Sequence, residues 1–330
     1  MKVRNAKTER FFSIVGVLVL VFAISPAIAE KDHLPRMAGA VLLAGYPPSS
    51  LFLTTGDQTL QIEGNGWGNG NIVPSMSADG RLVVSGRYVG TDSPGFAALP
   101  RQWGTQPDII LSVWSREDRR WTDHPDYVFG NRGIQLAASP DGTTVALPRK
   151  GQLLQVLDLK AGKAVVQREY SIGGAHFCWS PDGRRLAFDR AHMKIVEGVT
   201  VSLNSVFILN LESGAVTKID DGVMPSWSPS GEWIAFYGYS SVRVNAKSGS
   251  YSNAADRVTL IHPDGTGERV ITKRDASWLP VWSPDSRKVL IQWLRDEAGH
   301  MDADMVEIST GRVTKQFRNV MPIYAWSPAQ

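Results

Sequence analysis

Apolar residues in this chain fall in short runs, and the runs are paired across a recurring polar tetrapeptide. Ser139-Pro140-Asp141-Gly142 and Ser180-Pro181-Asp182-Gly183 are identical. Ser77-Ala78-Asp79-Gly80, Ser228-Pro229-Ser230-Gly231 and Ser283-Pro284-Asp285-Ser286 are close variants, and Ser327-Pro328-Ala329-Gln330 ends the chain. An apolar segment precedes each one, four times ending in tryptophan (Trp179, Trp227, Trp282, Trp326). A second apolar segment follows five of them: Leu82-Val83-Val84, Val145-Ala146-Leu147, Leu186-Ala187-Phe188, Ile234-Ala235-Phe236 and Val289-Leu290-Ile291. Serine, proline with its preset φ, aspartate, and glycine where φ turns positive are the residues of a tight reversal. Strand, turn, strand is therefore the repeating unit.

Successive turn serines lie 62, 41, 48, 55 and 44 residues apart, near the 40–50 residues of a four-stranded propeller blade. Each full repeat also supplies a second hairpin, with runs such as Leu153 to Leu157 and Val206 to Leu209 ahead of Gly-, Asp- or Ser-bearing turns. Ala40 to Ala44, Leu51 to Thr54 and Thr59 to Ile62 read as three strands with no turn serine before them, whereas the last repeat stops at its first strand, Tyr324 to Trp326. Joining the two ends completes a sixth sheet and removes the exposed edges of an open array. The expected fold is all-β: a six-bladed propeller of four-stranded antiparallel blades, closed by N- and C-terminal strands in one shared blade. Near-continuous apolar strands fit blades covered on both faces, with Ala146, Ala187 and Ala235 leaving room for a neighbour's tryptophan.

The form Trp-Ser-Pro-Asp-Gly-x-x-Leu-Ala-Phe at Trp179 to Phe188 resembles the WD-like repeat of TolB-type β-propellers. The resemblance extends through the repeats from about residue 37 to the C-terminus and implies a propeller. It departs from the pattern at Met76 and Ala138, which stand where later blades have tryptophan, and the expectation is a propeller without the separate N-terminal domain of TolB.

Residues 1–29 stand outside the repeat. Lys2, Arg4, Lys7 and Arg10 form a basic head, Phe11 to Ile24 is apolar, and Ala27-Ile28-Ala29 has the small-x-small form of a cleavage site. The expectation is a signal peptide cut after Ala29, followed by one propeller domain over 30–330 in the periplasm or outside the cell; left uncleaved, the same segment is a membrane anchor. The formal charge of +3 belongs to that segment, since thirty-one basic and thirty-one acidic residues follow it. A neutral domain has no global field for nucleic acid. Cys178, the sole cysteine, stands in an apolar strand and reads as a core residue.

Chemistry is sparse. There is no Gly-x-Ser-x-Gly elbow, no His-Glu-x-x-His and no paired-cysteine site, so no catalytic residue and no cofactor is expected. The turn aspartates Asp79, Asp141, Asp182 and Asp285 are assigned to turn structure. The connections from second to third strand, Arg87 to Asp108, Arg190 to Asn204, Tyr239 to Asp256 and Arg295 to Ala303, are long, whereas that of the second blade, Pro148 to Gln152, is short. Insertions confined to one face of a repeat protein commonly mark its binding face. The candidate partner-binding residues on that funnel face are Trp67, Asn69, Tyr88, Trp103, Asn131, Arg132, His176, Met224, Trp278 and Tyr324, with channel-plugging as the alternative role for the aromatics. His176, Asp189 and His192 form a candidate metal set, against the simpler reading of unlinked surface histidines. The functional expectation is an exported scaffold that binds a protein partner; the alternative is a glycan-binding or metal-dependent polysaccharide lyase-like propeller.

Overall fold

The computed structural model describes residues 37, 40–44, 51–55, 58–62, 72–88, 109–129, 134–149, 152–160, 163–245, 247–275, 278–295, 301–320 and 322–328. The segment read as a signal peptide lies outside them. Every regular element among the described residues is a strand.

The recurring turn works through its serine. Ser77, Ser139, Ser180, Ser228 and Ser283 are buried. Each hydroxyl accepts the backbone N–H five residues on, at 3.0, 2.9, 2.9, 3.0 and 2.9 Å in chain order. Where the third residue is aspartate, the serine donates to its Oδ1, as Ser139 does to Asp141 at 2.6 Å. The same oxygen accepts a further N–H, Thr143 in that turn and Arg287 in the fifth, both at 3.0 Å. The fourth residue adopts positive φ every time: Gly80, Gly142, Gly183 and Gly231 at +69°, +68°, +68° and +78°, and Ser286 at +60°. Ser286 accepts that strain without being glycine.

Blade 1 runs from the axis outward as Ser75–Met76, Leu82–Tyr88, Ile109–Ser115 and Arg120–Phe129, and blade 2 as Ala137–Ala138, Thr144–Arg149, Leu153–Lys160 and Lys163–Tyr170. Blade 5 is Val281–Trp282, Lys288–Leu294, Met301–Glu307 and Val313–Val320. Blade 6 joins the termini: Ile323–Ser327 pairs antiparallel with Ala40–Ala44, with Val41 opposite Trp326, and Leu51–Thr55 and Gln58–Ile62 follow outward. The closure read from the sequence is thus observed, and the protein is an all-β, six-bladed propeller.

Blades 3 and 4 depart from the simple scheme by sharing a strand. Val216–Trp227 begins as the outermost strand of blade 3, with Asp221 opposite Ser205, and ends as the innermost strand of blade 4, with Trp227 opposite Ile234. The result is one seven-stranded sheet, Phe177–Trp179, Arg185–Val196, Val199–Asn210, Val216–Trp227, Ile234–Asn245, Ser250–Ile261 and Arg269–Lys273. Gly222 stands where the strand passes between blades; a Cβ there would meet the Phe236 ring and lie 2.6 Å from the Tyr237 carbonyl oxygen.

The seams are apolar and follow one rule. Trp179 packs in the cluster that holds Ala146, Trp227 with Ala187, and Trp282 with Ala235. Each pair is a tryptophan at the end of one innermost strand and an alanine in the preceding blade, so the small residue makes the slot that the indole fills. For two of the three the indole N–H is satisfied across the seam as well, Trp179 donating to the Ala137 carbonyl and Trp282 to the Ser226 carbonyl, both at 2.9 Å, whereas Trp227 donates to the Gly231 carbonyl of its own turn at 3.2 Å.

Candidate functional site

Two faces surround the axis. One carries the serine turns. The other, the mouth, receives the entry to each innermost strand and the connection from second to third strand. At the mouth a single repeat position joins neighbouring blades. The residue nine places after the turn serine is Asp189 in blade 3 and Gln292 in blade 5, each at the end of an apolar run and each fully buried. Both reach backbone four places before a turn serine. Asp189 Oδ1 accepts the His176 N–H at 3.1 Å in its own blade, and Oδ2 accepts the Met224 N–H at 2.8 Å in blade 4. Gln292 accepts the Ile323 N–H and donates to the Ile323 carbonyl of blade 6, both at 2.8 Å. Elsewhere backbone does the work: Ile72–Val73 pairs in parallel with Ile134–Gln135, and the Gln135 N–H donates to Ala175 of blade 3 at 3.1 Å. Between blades 4 and 5 the equivalent residue is Tyr237, whose buried hydroxyl has no hydrogen-bond partner among the described residues.

His176 completes the fastening at Asp189. Its Nδ1 lies 2.8 Å from Asp189 Oδ2, and neither side chain is open to water. Burial works against charge on both groups. The carboxylate nonetheless raises the imidazole's pKa above its usual value, and His176 together with two backbone amides holds the Asp189 carboxyl below its own. Met224 sits at φ +57°, an uncommon conformation for a side chain of its size, in an irregularity of the ladder between Val223 and Ser226.

The sequence candidates therefore separate. His176 and Asp189 are brought together, and both are buried rather than on the surface. His192 is not: it stands three places on in the same strand and so on the opposite side of the sheet. Its Nδ1 lies 2.9 Å from Ser205 Oγ, which donates to Asp221 at 2.6 Å. Asp221 is also bound by Lys194 and Lys218; burial opposes its ionisation, yet these neighbours hold the carboxyl well below the usual range. Among the described residues no three His, Cys, Asp or Glu side chains are grouped to hold a metal. Trp278 and Tyr324 meet edge to face with ring centres 5.4 Å apart. Trp278 packs on the apolar seam between blades 5 and 6, and burial pushes the Tyr324 phenol up. Tyr88 ends the second strand of blade 1, opposite Ile109. Trp67, Asn69, Trp103, Asn131 and Arg132 lie outside the described residues.

What the sequence reading took for connecting segments in blades 3 and 4 are strands. Arg185–Val196 and Val199–Asn210 stay paired to a two-residue turn at Glu197 and Gly198, with φ +49° and +78°, the conformation of a tight hairpin turn. Ile234–Asn245 and Ser250–Ile261 also pair in blade 4, as far as Asn245 opposite Ser250, with irregularities between Gly238 and Ser241. The two hairpins rise from the mouth and pack on each other: Val199, Val201 and Leu203 lie against Tyr239, Val242, Val244 and Tyr251. Met193 and Ile195 point away from that contact, 66% and 74% exposed. None of the residues that pack this wall together stood among the sequence candidates; His192, a candidate metal ligand, lies in the same hairpin, opposite Leu203. The signal was present, since Val199-Thr200-Val201-Ser202-Leu203 alternates as a strand does.

No family model matches the chain, and no curated relative does. Solved structures do. TolB from Acinetobacter baumannii superposes with a TM-score of 0.55 at 14% identity, over 90% of this chain and 69% of that one. A chain of a nidogen/laminin complex superposes with a TM-score of 0.57 at 8% identity, over 89% and 100%. A putative TolB from Agrobacterium tumefaciens is similar at a TM-score of 0.47 and 16% identity, over 89% and 94%. At such identities the likeness establishes the fold, which is that of a TolB-like β-propeller.

Proposed function

We propose that this TolB-like propeller is an exported scaffold that binds a protein partner at its mouth and performs no chemistry of its own. One observation carries the reading: the two faces are built differently. The serine-turn face is made of tight, hydrogen-bonded reversals, whereas the mouth bears two paired hairpins packed into a wall with exposed Met193 and Ile195. A rigid ring presenting a projecting, partly apolar wall on one face has the form of a docking platform. The buried His176–Asp189 pair is a fastening between blades, because both carboxylate oxygens are taken by backbone amides. The export step rests on the basic head, apolar run and Ala27-Ile28-Ala29 of the N-terminal segment.

The test is site-specific photo-crosslinking in living cells. A photoreactive residue at Arg243, exposed on the blade 4 hairpin, is expected to give a discrete adduct of higher mass. One at Asp264, exposed on the serine-turn face, is expected to give none. Adducts from Asp264 alone, equal adducts from both, or none from either would overturn the reading. Mass analysis of the exported protein, expected to begin at Glu30, tests the cleavage separately.

A further inference from the structure

We propose that the edge of the blade 3 hairpin from Ala191 to Val196 takes an added β-strand from the partner, an extended segment in which apolar and acidic residues alternate. The proposal rests on the mouth reading above and names how the partner is held.

The argument begins with the direction of the backbone. Asp189 donates its N–H to the His176 carbonyl and accepts the Ala175 N–H, so its main-chain groups face the innermost strand. In an antiparallel sheet that direction alternates residue by residue. The innermost strand, Phe177–Trp179, pairs only with Leu186 to Phe188. Beyond Asp189, the N–H and C=O of Ala191, Met193 and Ile195 therefore point toward the axis, where no described residue pairs with them. The opposite edge of the same hairpin is closed. Tyr239 Oη accepts the Asn204 N–H at 3.2 Å, and Tyr251 Oη accepts the Ser202 N–H and donates to the Ser202 carbonyl, both at 3.2 Å. Natural proteins blunt unpaired edges with charge, proline or a covering element. Here one edge is covered by two tyrosines, and the other displays three N–H and three C=O groups beside exposed Met193 and Ile195.

Side-chain chemistry selects the occupant. An added strand places alternate side chains on the two faces of the hairpin. On one face they meet Ala191, Met193 and Ile195, which calls for apolar residues. On the other they meet His192 and Lys194, where Lys194 and Lys218 share the single carboxylate of Asp221 and leave positive charge over. That calls for acidic residues. A second copy of this chain is a poor fit, because pairing the edge with itself sets Lys194 and His192 of the two copies against each other.

The experiment titrates the purified protein against a fluorescent peptide of four Val-Glu repeats, the same peptide N-methylated at alternate residues, and a Val-Lys repeat. Met193→Pro removes one outward N–H and no bond within the hairpin. The expected results are saturable binding of the Val-Glu peptide, a loss of about tenfold or more on N-methylation or in Met193→Pro, and a shift of preference toward Val-Lys in Lys194→Glu. Equal binding of the N-methylated peptide, or no Val-Glu binding by the wild type, would overturn the proposal without recourse to any variant. A dimer in sedimentation that Met193→Pro dissolves would overturn it in favour of self-pairing. If the Arg243 crosslink persists in Met193→Pro, strand addition fails while the mouth reading stands. If no mouth position crosslinks, the mouth reading itself has failed.

Discussion

Replacing Asp189 by alanine removes one carboxylate and strands three donors: the backbone N–H groups of His176 and Met224 and the imidazole Nδ1. Asp189 is fully buried and His176 nearly so, whereas Met224 is half-buried. Breaking a buried ion pair by deleting one partner costs about 3–5 kcal/mol. Leaving a buried N–H without an acceptor costs about 1–3 kcal/mol, part of which that range already contains. We therefore expect a loss of about 4 kcal/mol, or about 8 °C in Tm for a domain of this size. The sign of the pH dependence follows from the directions of the two shifts. The raised pKa of His176 contributes stability that is complete below its unfolded value of 6.5 and is lost as pH rises through its folded value. The lowered pKa of Asp189 contributes stability above 3.8 that is lost as pH falls through its folded value. The gap between wild type and Asp189→Ala should accordingly be widest near pH 5–6 and narrow as pH rises through the folded value of His176, where the neutral imidazole no longer needs the charge. Urea and thermal unfolding of both proteins across that range is the assay. A Tm difference below about 2 °C, or one that does not change with pH, would refute the account of Asp189 as the fastening between blades 3 and 4.

Ser180→Ala removes the buried acceptor of the Arg185 N–H together with the anchor of Asp182, and a loss of about 1–3 kcal/mol in urea unfolding is expected. Tyr237→Phe deletes a buried hydroxyl that has no partner among the described residues, so the variant should unfold at the same urea concentration as wild type or higher. Gly222→Ala forces a methyl against the Phe236 ring and the Tyr237 carbonyl, which should cost about 1–3 kcal/mol and show as an earlier thermal transition. Cys178 has its thiol pushed up to about 11 by burial, partly offset by the Trp227 N–H it accepts. At pH 8 it should react with a disulfide reagent far more slowly in the native protein than in urea.

Much of the ring was legible along the chain because its decisive chemistry is local. A buried serine, the aspartate two residues on and a glycine at positive φ close a turn within seven residues, so the turn can be recognised wherever it recurs. The strands at either end could be matched because one set lacked the partner that the other offered, and Val41 does pair with Trp326. The alanine slots for Trp179, Trp227 and Trp282 followed from the same repeat, since neighbouring blades are copies packed face to face.

The mouth was less legible, because its contacts join residues whose relation depends on strand direction and register. His176, Asp189 and His192 look alike in sequence; the alternation of a strand puts Asp189 beside His176 and turns His192 toward Ser205. The shared strand Val216–Trp227, the blade 3 hairpin edge closed by Tyr239 and Tyr251 and the one left unpaired among the described residues, and the use of Asp189 and Gln292 as fasteners all emerge only when sheets are stacked around an axis. Turn chemistry acts over a few bonds and is written in adjacent residues. Which edge stays unpaired is set by how far each neighbouring strand runs and by which way its peptide groups face, and only the folded ring decides that.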